Sequence, residues 1–249
     1  MNIESNFRLA LHHFENSNFN DAANILQLVI SNDKNNADAY HLLGVIEATR
    51  KNPEKGRLLI ESSICINPNL ADAHYHLGNI LLMQLGKTED AIQSFSKALS
   101  LNPRSLEALL NRGGAYNKLG MFEAALQDYQ QISLIDPNLF DAHLRSGKIF
   151  LKLNRLNDAL SDFRRAIECN CKAEEAYHGA AYILSQQGLF EESRVMYEKA
   201  LRLGPESEAI LANFGGLDLK LGNFRAGLEK IKNAYGSIEF NLINGISIK

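Results

Sequence analysis

The stretch AHYHLGNILLMQLGKTEDAIQSFSKALSLNP at 73–103 decides the fold. Ala73, Leu77, Gly78 and Leu81 recur at three- and four-residue steps, as do Ala91, Phe95, Ala98 and Leu99. That spacing puts apolar side chains on one face of each of two helices. Gly86 breaks between them, and Asn102-Pro103 stops the second. A helix of roughly 14 residues is only about 21 Å long. Alone it would be marginal, so its stability must come from neighbours.

Outward from this stretch the pattern repeats. Pro68, Pro103, Pro137 and Pro205 are separated by 35, 34 and 68 residues, and Cys171 occupies the skipped place. Gly44, Gly78, Gly113, Gly147, Ala181 and Gly215 form a second row. Ala22, Gly56, Ala91, Ala125, Ala159, Ser193 and Gly227 form a row of small residues. Leu26, Ile60, Phe95, Tyr129, Phe163, Tyr197 and Ile231 form a bulky one. Gly113 to Gly120 is seven residues, whereas Gly78 to Gly86 is eight, so one residue is inserted within Leu81–Leu85. Seven units fit: 3–36, 37–70, 71–105, 106–139, 140–173, 174–207 and 208–241, with a tail at 242–249.

The period, the Leu-Gly near the first helix, the turn Gly, the Ala…Phe/Tyr…Ala of the second helix and the closing Pro resemble the tetratricopeptide repeat. The resemblance spans nearly the whole chain. It implies an all-α fold: a right-handed α-solenoid of antiparallel helix pairs, the TPR superhelix, whose inner groove is lined by first helices and usually holds a protein or peptide. Several residues depart from the pattern. Ser17 replaces the turn Gly and Lys34 the closing Pro of the first unit, and Pro53 stands where a loop residue is usual in the second. Glu47, Arg112 and Asp218 replace core apolar residues. Edge repeats are often atypical, but Arg112 sits in the middle.

Composition narrows the function class. The 249 residues are 45% hydrophobic and 22% charged, with net charge −3. A nucleic-acid wrapper would normally be strongly basic, so no nucleic-acid partner is expected. No apolar run reaches the ~18 residues of a span, so no membrane insertion is expected. The start, MNIESNFRLALHHFEN, shows no basic region followed by an apolar one, so no secretory signal is read. Three cysteines, Cys65, Cys169 and Cys171, read as reduced thiols of a cytoplasmic protein.

No catalytic, cofactor or metal pattern emerges, and the expectation is a non-enzyme. The seven histidines form no i,i+4 zinc pair on a helix. His74 and His143 hold the repeat's aromatic core position and read as packed and satisfied. Cys169-x-Cys171 has the wrong spacing for a redox or zinc motif.

In the resembling family, repeat positions 2, 5, 6, 9, 12 and 13 face the groove. Position 2 is acidic at Asp38, Asp72, Glu107, Asp141 and Glu175, and position 13 holds Lys118, Lys152 and Lys220. Those signs also suit the two ends of a helix dipole. Mid-helix charge at Arg145 and Lys148 has no such explanation. Asn79, Asn111, Arg145 and Lys148 form a candidate polar site, the alternative being a merely solvated face. Asn117 adjoins it, and Tyr75, Leu110, Leu144 and Tyr182 would supply apolar contacts. Asn side chains can engage peptide amides. Asn79, Asn111 and Arg145 match part of the family's carboxylate clamp, but Tyr75 and Asp141 stand where its lysines belong. The EEVD tails of heat-shock chaperones are therefore not expected as partners.

The tail breaks the helical pattern from about 236. Ile238, Phe240 and Leu242 alternate with polar residues, and Asn244-Gly245 signals a hairpin turn. A short non-helical tail, in one reading a β-hairpin against Leu228, Ile231 and Tyr235, is expected. Two functions remain open: a peptide-binding scaffold or adaptor, and the binding arm of a larger enzyme resembling the O-linked N-acetylglucosamine transferases. The second resemblance is weak, because only Asn111 and Asn213 fit that family's row of groove asparagines.

Overall fold

The computed structural model describes residues 2–236 and the backbone of 238–241 and 245–248. Two compact units divide the chain, Met1–Ile135 and Asp136–Lys249. The first contains α1 (Ile3–Glu15), α2 (Phe19–Asn32), α3 (Ala37–Thr49), α4 (Pro53–Ile66), α5 (Ala71–Asn79), α6 (Thr88–Leu101), α7 (Leu106–Lys118) and α8 (Phe122–Ile135). The second contains α9 (Phe140–Lys152), α10 (Leu156–Cys169), α11 (Glu174–Gln186), α12 (Phe190–Leu203), α13 (Glu208–Lys220) and α14 (Phe224–Tyr235), followed by β1 (Ile238–Asn241) and β2 (Gly245–Ile248). The fourteen helices among the described residues form antiparallel pairs, and within each unit successive pairs stack.

Helix ends follow local chemistry. Pro53 opens α4, where its missing N–H costs nothing. Asn36 and Ser105 accept the backbone N–H of Ala39 and Ala108 at 2.9 and 3.2 Å. After the second helix of five successive pairs, Asp33, Asn67, Asn102, Asp136 and Asn170 each accept the backbone N–H two residues on. This Asx turn closes the helix and aims the chain into the next pair. The turn inside each pair needs a left-handed residue. Gly86 and Gly120 supply it at φ +68° and +74°, while Ser17, Lys51 and Asn154 adopt φ 60°, 66° and 56° without being glycine.

The bulky row fills holes left by the small one. Leu26, Ile60, Phe95, Tyr129, Phe163 and Tyr197 are almost wholly buried. The Phe95 ring lies where a Cβ on Gly78 would sit, and the Tyr129 ring does the same over Gly113. These glycines are holes for aromatic rings. In α3 and α4, Gly44 and Gly56 instead bring the two backbones together.

The departures from the repeat pattern are paired. Arg112 Nε and Nη2 donate to Asp128 at 3.0 and 2.7 Å, and Nη1 donates to Ser96 at 2.9 Å. Arg112 thus ties α6, α7 and α8 together. Glu47 accepts from Lys55 at 3.0 Å and Asn52 at 3.1 Å. Asp218 accepts from Arg194 at 3.1 Å and Lys230 at 2.7 Å. His74 and His143, both nearly buried, each place Nε2 2.9 Å from a carbonyl six residues earlier, that of Pro68 or Pro137.

The inserted residue appears as a π-turn, Ile80–Gln84, at the end of α5. Leu85 N donates to the Ile80 carbonyl at 3.1 Å, and Lys87 N to that of Leu81 at 2.8 Å. One wider turn absorbs the extra residue.

The last helix ends at Tyr235, and β1 and β2 pair antiparallel. Register corrects the expected turn. Asn241 pairs with Gly245, so Gly245 belongs to a strand rather than to a turn. The expected contacts of Ile238, Phe240 and Leu242 with Leu228, Ile231 and Tyr235 lie outside the described residues.

Candidate functional site

In the first unit, three successive first helices present one face. Position 5 of one repeat bonds to position 6 of the next, giving a ladder of side-chain rungs. His41 Nε2 lies 2.9 Å from His76 Nδ1. Asn111 Nδ2 donates to the Tyr75 hydroxyl at 3.4 Å and to Asn79 Oδ1 at 2.8 Å. The second unit has one such rung, Asn213 Nδ2 with His178 Nε2 at 2.9 Å.

Geometry fixes the protons of the histidine rung. His76 Nδ1 is 2.8 Å from the Asp72 carbonyl, which can only accept, so Nδ1 carries the hydrogen. His41 Nε2 must then be the unprotonated nitrogen. Burial disfavours charge here: it pushes His41 down to about 4, helped by His76, against the opposing pull of Asp72. Burial likewise holds His76 below its ordinary value. The rung is neutral near pH 7.

Beside these rungs lies a cleft of about 370 Å³. Val45, Ala48 and Thr49 of α3 form one wall, and His76, Asn79, Ile80, Met83 and Gln84 form the other. Asn111 of α7 closes one side. A larger hollow of about 700 Å³ in the second unit is lined partly by Arg194, Asp218 and Lys230, but these charges satisfy one another.

The sequence-predicted residues fall into two groups. Tyr75, Asn79 and Asn111 form one cluster, all half-buried. Asn117 and Lys118 lie on the last turn of α7. Arg145 and Lys148 belong to the second unit, and both are exposed on α9. Lys148 pairs with Glu175. Lys152 ends α9, and Tyr182 is half-buried on α11. Leu144 is corrected: only 8% exposed, it packs into the core with Phe163 and Ile183 rather than lining a groove. The acids at position 2 and the lysines at position 13 occupy first and last helical turns, where the dipole favours them.

Sequence reasoning missed His41, which the ladder makes central to this face. Pairing positions across neighbouring repeats, rather than within one, would have found it. Elsewhere, Asp162 bonds to Ser146 and lies 3.5 Å from His143 Nδ1. The hydrogen bond to Asp162 raises the His143 pKa against its burial. Among the described residues no group of three His, Cys, Asp or Glu is placed to hold a metal ion, and no helix is long and apolar enough to cross a membrane.

Family models described as tetratricopeptide or TPR repeats match residues 7–68, 81–120, 106–139 and 174–207. No curated protein sequence matches the chain. Among solved structures, YrrB, described as a TPR protein with an unusual peptide-binding site, is 20% identical over 75% of this chain and 95% of its own, with a TM-score of 0.67. PilF of Pseudomonas aeruginosa is 22% identical over 81% of this chain and 93% of its own, at 0.66. A tetratricopeptide repeat protein of Parabacteroides merdae is 17% identical over 93% of this chain and 91% of its own, also at 0.66.

Proposed function

Because this chain is a tetratricopeptide-repeat protein, a family of protein-interaction scaffolds, we propose that it is a non-catalytic adaptor that holds an extended peptide along α3, α5 and α7. The observation that carries this reading is the Tyr75–Asn79–Asn111 cluster beside the cleft. Asn111 spends its donor within the cluster. Among the described residues, neither Asn111 Oδ1 nor Asn79 Nδ2 has a protein partner, so an acceptor and two N–H donors remain. A peptide group offers the complementary N–H and C=O. YrrB, by its description, also binds peptide, and shares this fold.

A chaperone carboxylate tail fits the face poorly. Tyr75 stands on this face at one of the clamp's lysine places. The three free thiols fit a reducing, cytoplasmic setting.

The test is a binding titration of the full chain with peptides selected on it from a random library. Asn111→Ala should weaken binding by roughly 1–3 kcal/mol, because it leaves a peptide group unpaired. The melting temperature should barely move. Undiminished binding would show that the peptide lies elsewhere.

A further inference from the structure

The inserted residue of the third repeat does more than lengthen a helix. Across the π-turn, Ile80, Leu81 and Leu82 are consecutively buried, and Met83 is thrown outward at 70% exposure. Counted from the start of the first helix, the position that Met83 takes is polar in the other repeats: Glu15, Thr49, Lys118, Lys152, Gln186 and Lys220. Counted back from the turn residue, that position falls on Gln84, and Met83 comes one place before it.

That side chain completes one wall of the cleft. Facing it are Val45 and Ala48 of α3, and Ile80 shares its wall. The polar groups that line the cleft are the neutral amides of Asn79, Gln84 and Asn111, the Thr49 hydroxyl and an imidazole. No Asp, Glu, Lys or Arg lines it. A charged side chain entering here would lose water and gain no counter-ion. An aliphatic side chain would gain contact with Val45, Ile80 and Met83, while the amides engage the peptide group attached to it.

Resting on the peptide-binding reading above, we infer that the π-turn builds a specificity pocket which selects one uncharged aliphatic side chain, of the Leu, Ile or Met class, at a fixed place in the bound peptide. Met83 is a selecting residue, and Asn79 and Asn111 set the register of the peptide against it.

The test uses the full chain as bait for a random peptide library, followed by titration of the best peptide. Selected peptides should share an aliphatic residue at one place, and changing it to Asp or Lys should cost about tenfold or more. Met83→Glu and Thr49→Glu, on exposed parts of opposite walls, should each cost about as much without altering the far-ultraviolet spectrum. Met83→Leu should stay within about twofold. Peptides with no shared aliphatic residue, or binding indifferent to both glutamates yet weakened by Asn111→Ala, would overturn the pocket and leave the groove reading standing. Failure to select any peptide would overturn both.

Discussion

The two units repeat one backbone plan and finish it with different chemistry. The first presents neutral rungs, His41–His76 and Tyr75–Asn111, beside an uncharged cleft. The second presents Arg145 and the Lys148–Glu175 pair and keeps one rung, Asn213–His178; where its other rung would stand it has a core Leu144 and Gly179, the latter holding the Phe163 ring. The interiors differ too. Arg112 in the first unit clasps one carboxylate, and Asp218 in the second is clasped by two cations. A helical repeat therefore specifies packing at a few positions and leaves the rest free to vary.

The largest expected effect tests the interiors. Arg112→Ala leaves Asp128, 5% exposed, without its partner and should cost about 3 kcal/mol. Asp218→Ala instead frees Arg194 and Lys230, whose side chains keep 32% and 23% exposure. They can turn to water, so the loss should be nearer 1–2 kcal/mol, roughly the worth of the charged hydrogen bonds. Urea denaturation of both variants decides it, and equal losses would erase the contrast.

Acidity separates the units next. His41 and His76 bind protons less readily when folded, so the stability they confer is complete above the ordinary imidazole value. It is lost as pH falls from about 6.5 toward 4. Glu47 adds to the loss at lower pH still. Burial opposes its ionisation, but Lys55, Asn52 and Arg50 hold its pKa below the usual value. His143 works in the opposite sense: its raised pKa gives stability that is full below about 6.5 and fades as pH rises through the folded value. Burial lowers His178, which offsets His143 within the second unit. Hydrogen exchange resolved by unit, corrected for intrinsic rates, should show the first unit loosening more between pH about 7 and about 5. Equal loosening would break the distinction.

Smaller effects follow at turns and surfaces. Lys51→Gly should stabilise the first unit by up to about 1 kcal/mol, because lysine pays for its left-handed backbone. Asn154→Gly in the second unit should gain less, since asparagine tolerates that region better. Thermal melts of both would rank them. Lys148→Ala should change stability by less than about 0.5 kcal/mol, because both partners of its ion pair are well exposed. A larger loss would mean that the pair fastens α9 to α11.

The fold was legible because its residues obey a period. Rows such as Ala22 to Gly227 and Leu26 to Ile231 align without reference to any contact, and the unequal glycine spacing located the insertion to within a few residues. What the insertion did was not legible, because spacing does not say how a helix absorbs an extra residue. The closing Asx turns at Asp33, Asn67, Asn102, Asp136 and Asn170 were legible in principle, since they too follow the period. The candidate site was harder. Asn79 and Asn111 meet across neighbouring repeats, whereas Leu144 looked like a groove residue and belongs to the core. Arg112 looked like a fault because Asp128, which answers it, lies in the following helix.

An added residue in an α-helix would ordinarily rotate everything after it by about 100°, and the disturbance would pass down the array. Here it is spent before Gly86 takes its left-handed bend, and Ala91 and Phe95 are back in phase, both fully buried. The array thus contains a length change the way a line of verse contains an extra syllable, within one foot. Its repeats can be edited by insertion as well as by substitution, provided the extra length is used up before the turn that hands the chain to the second helix.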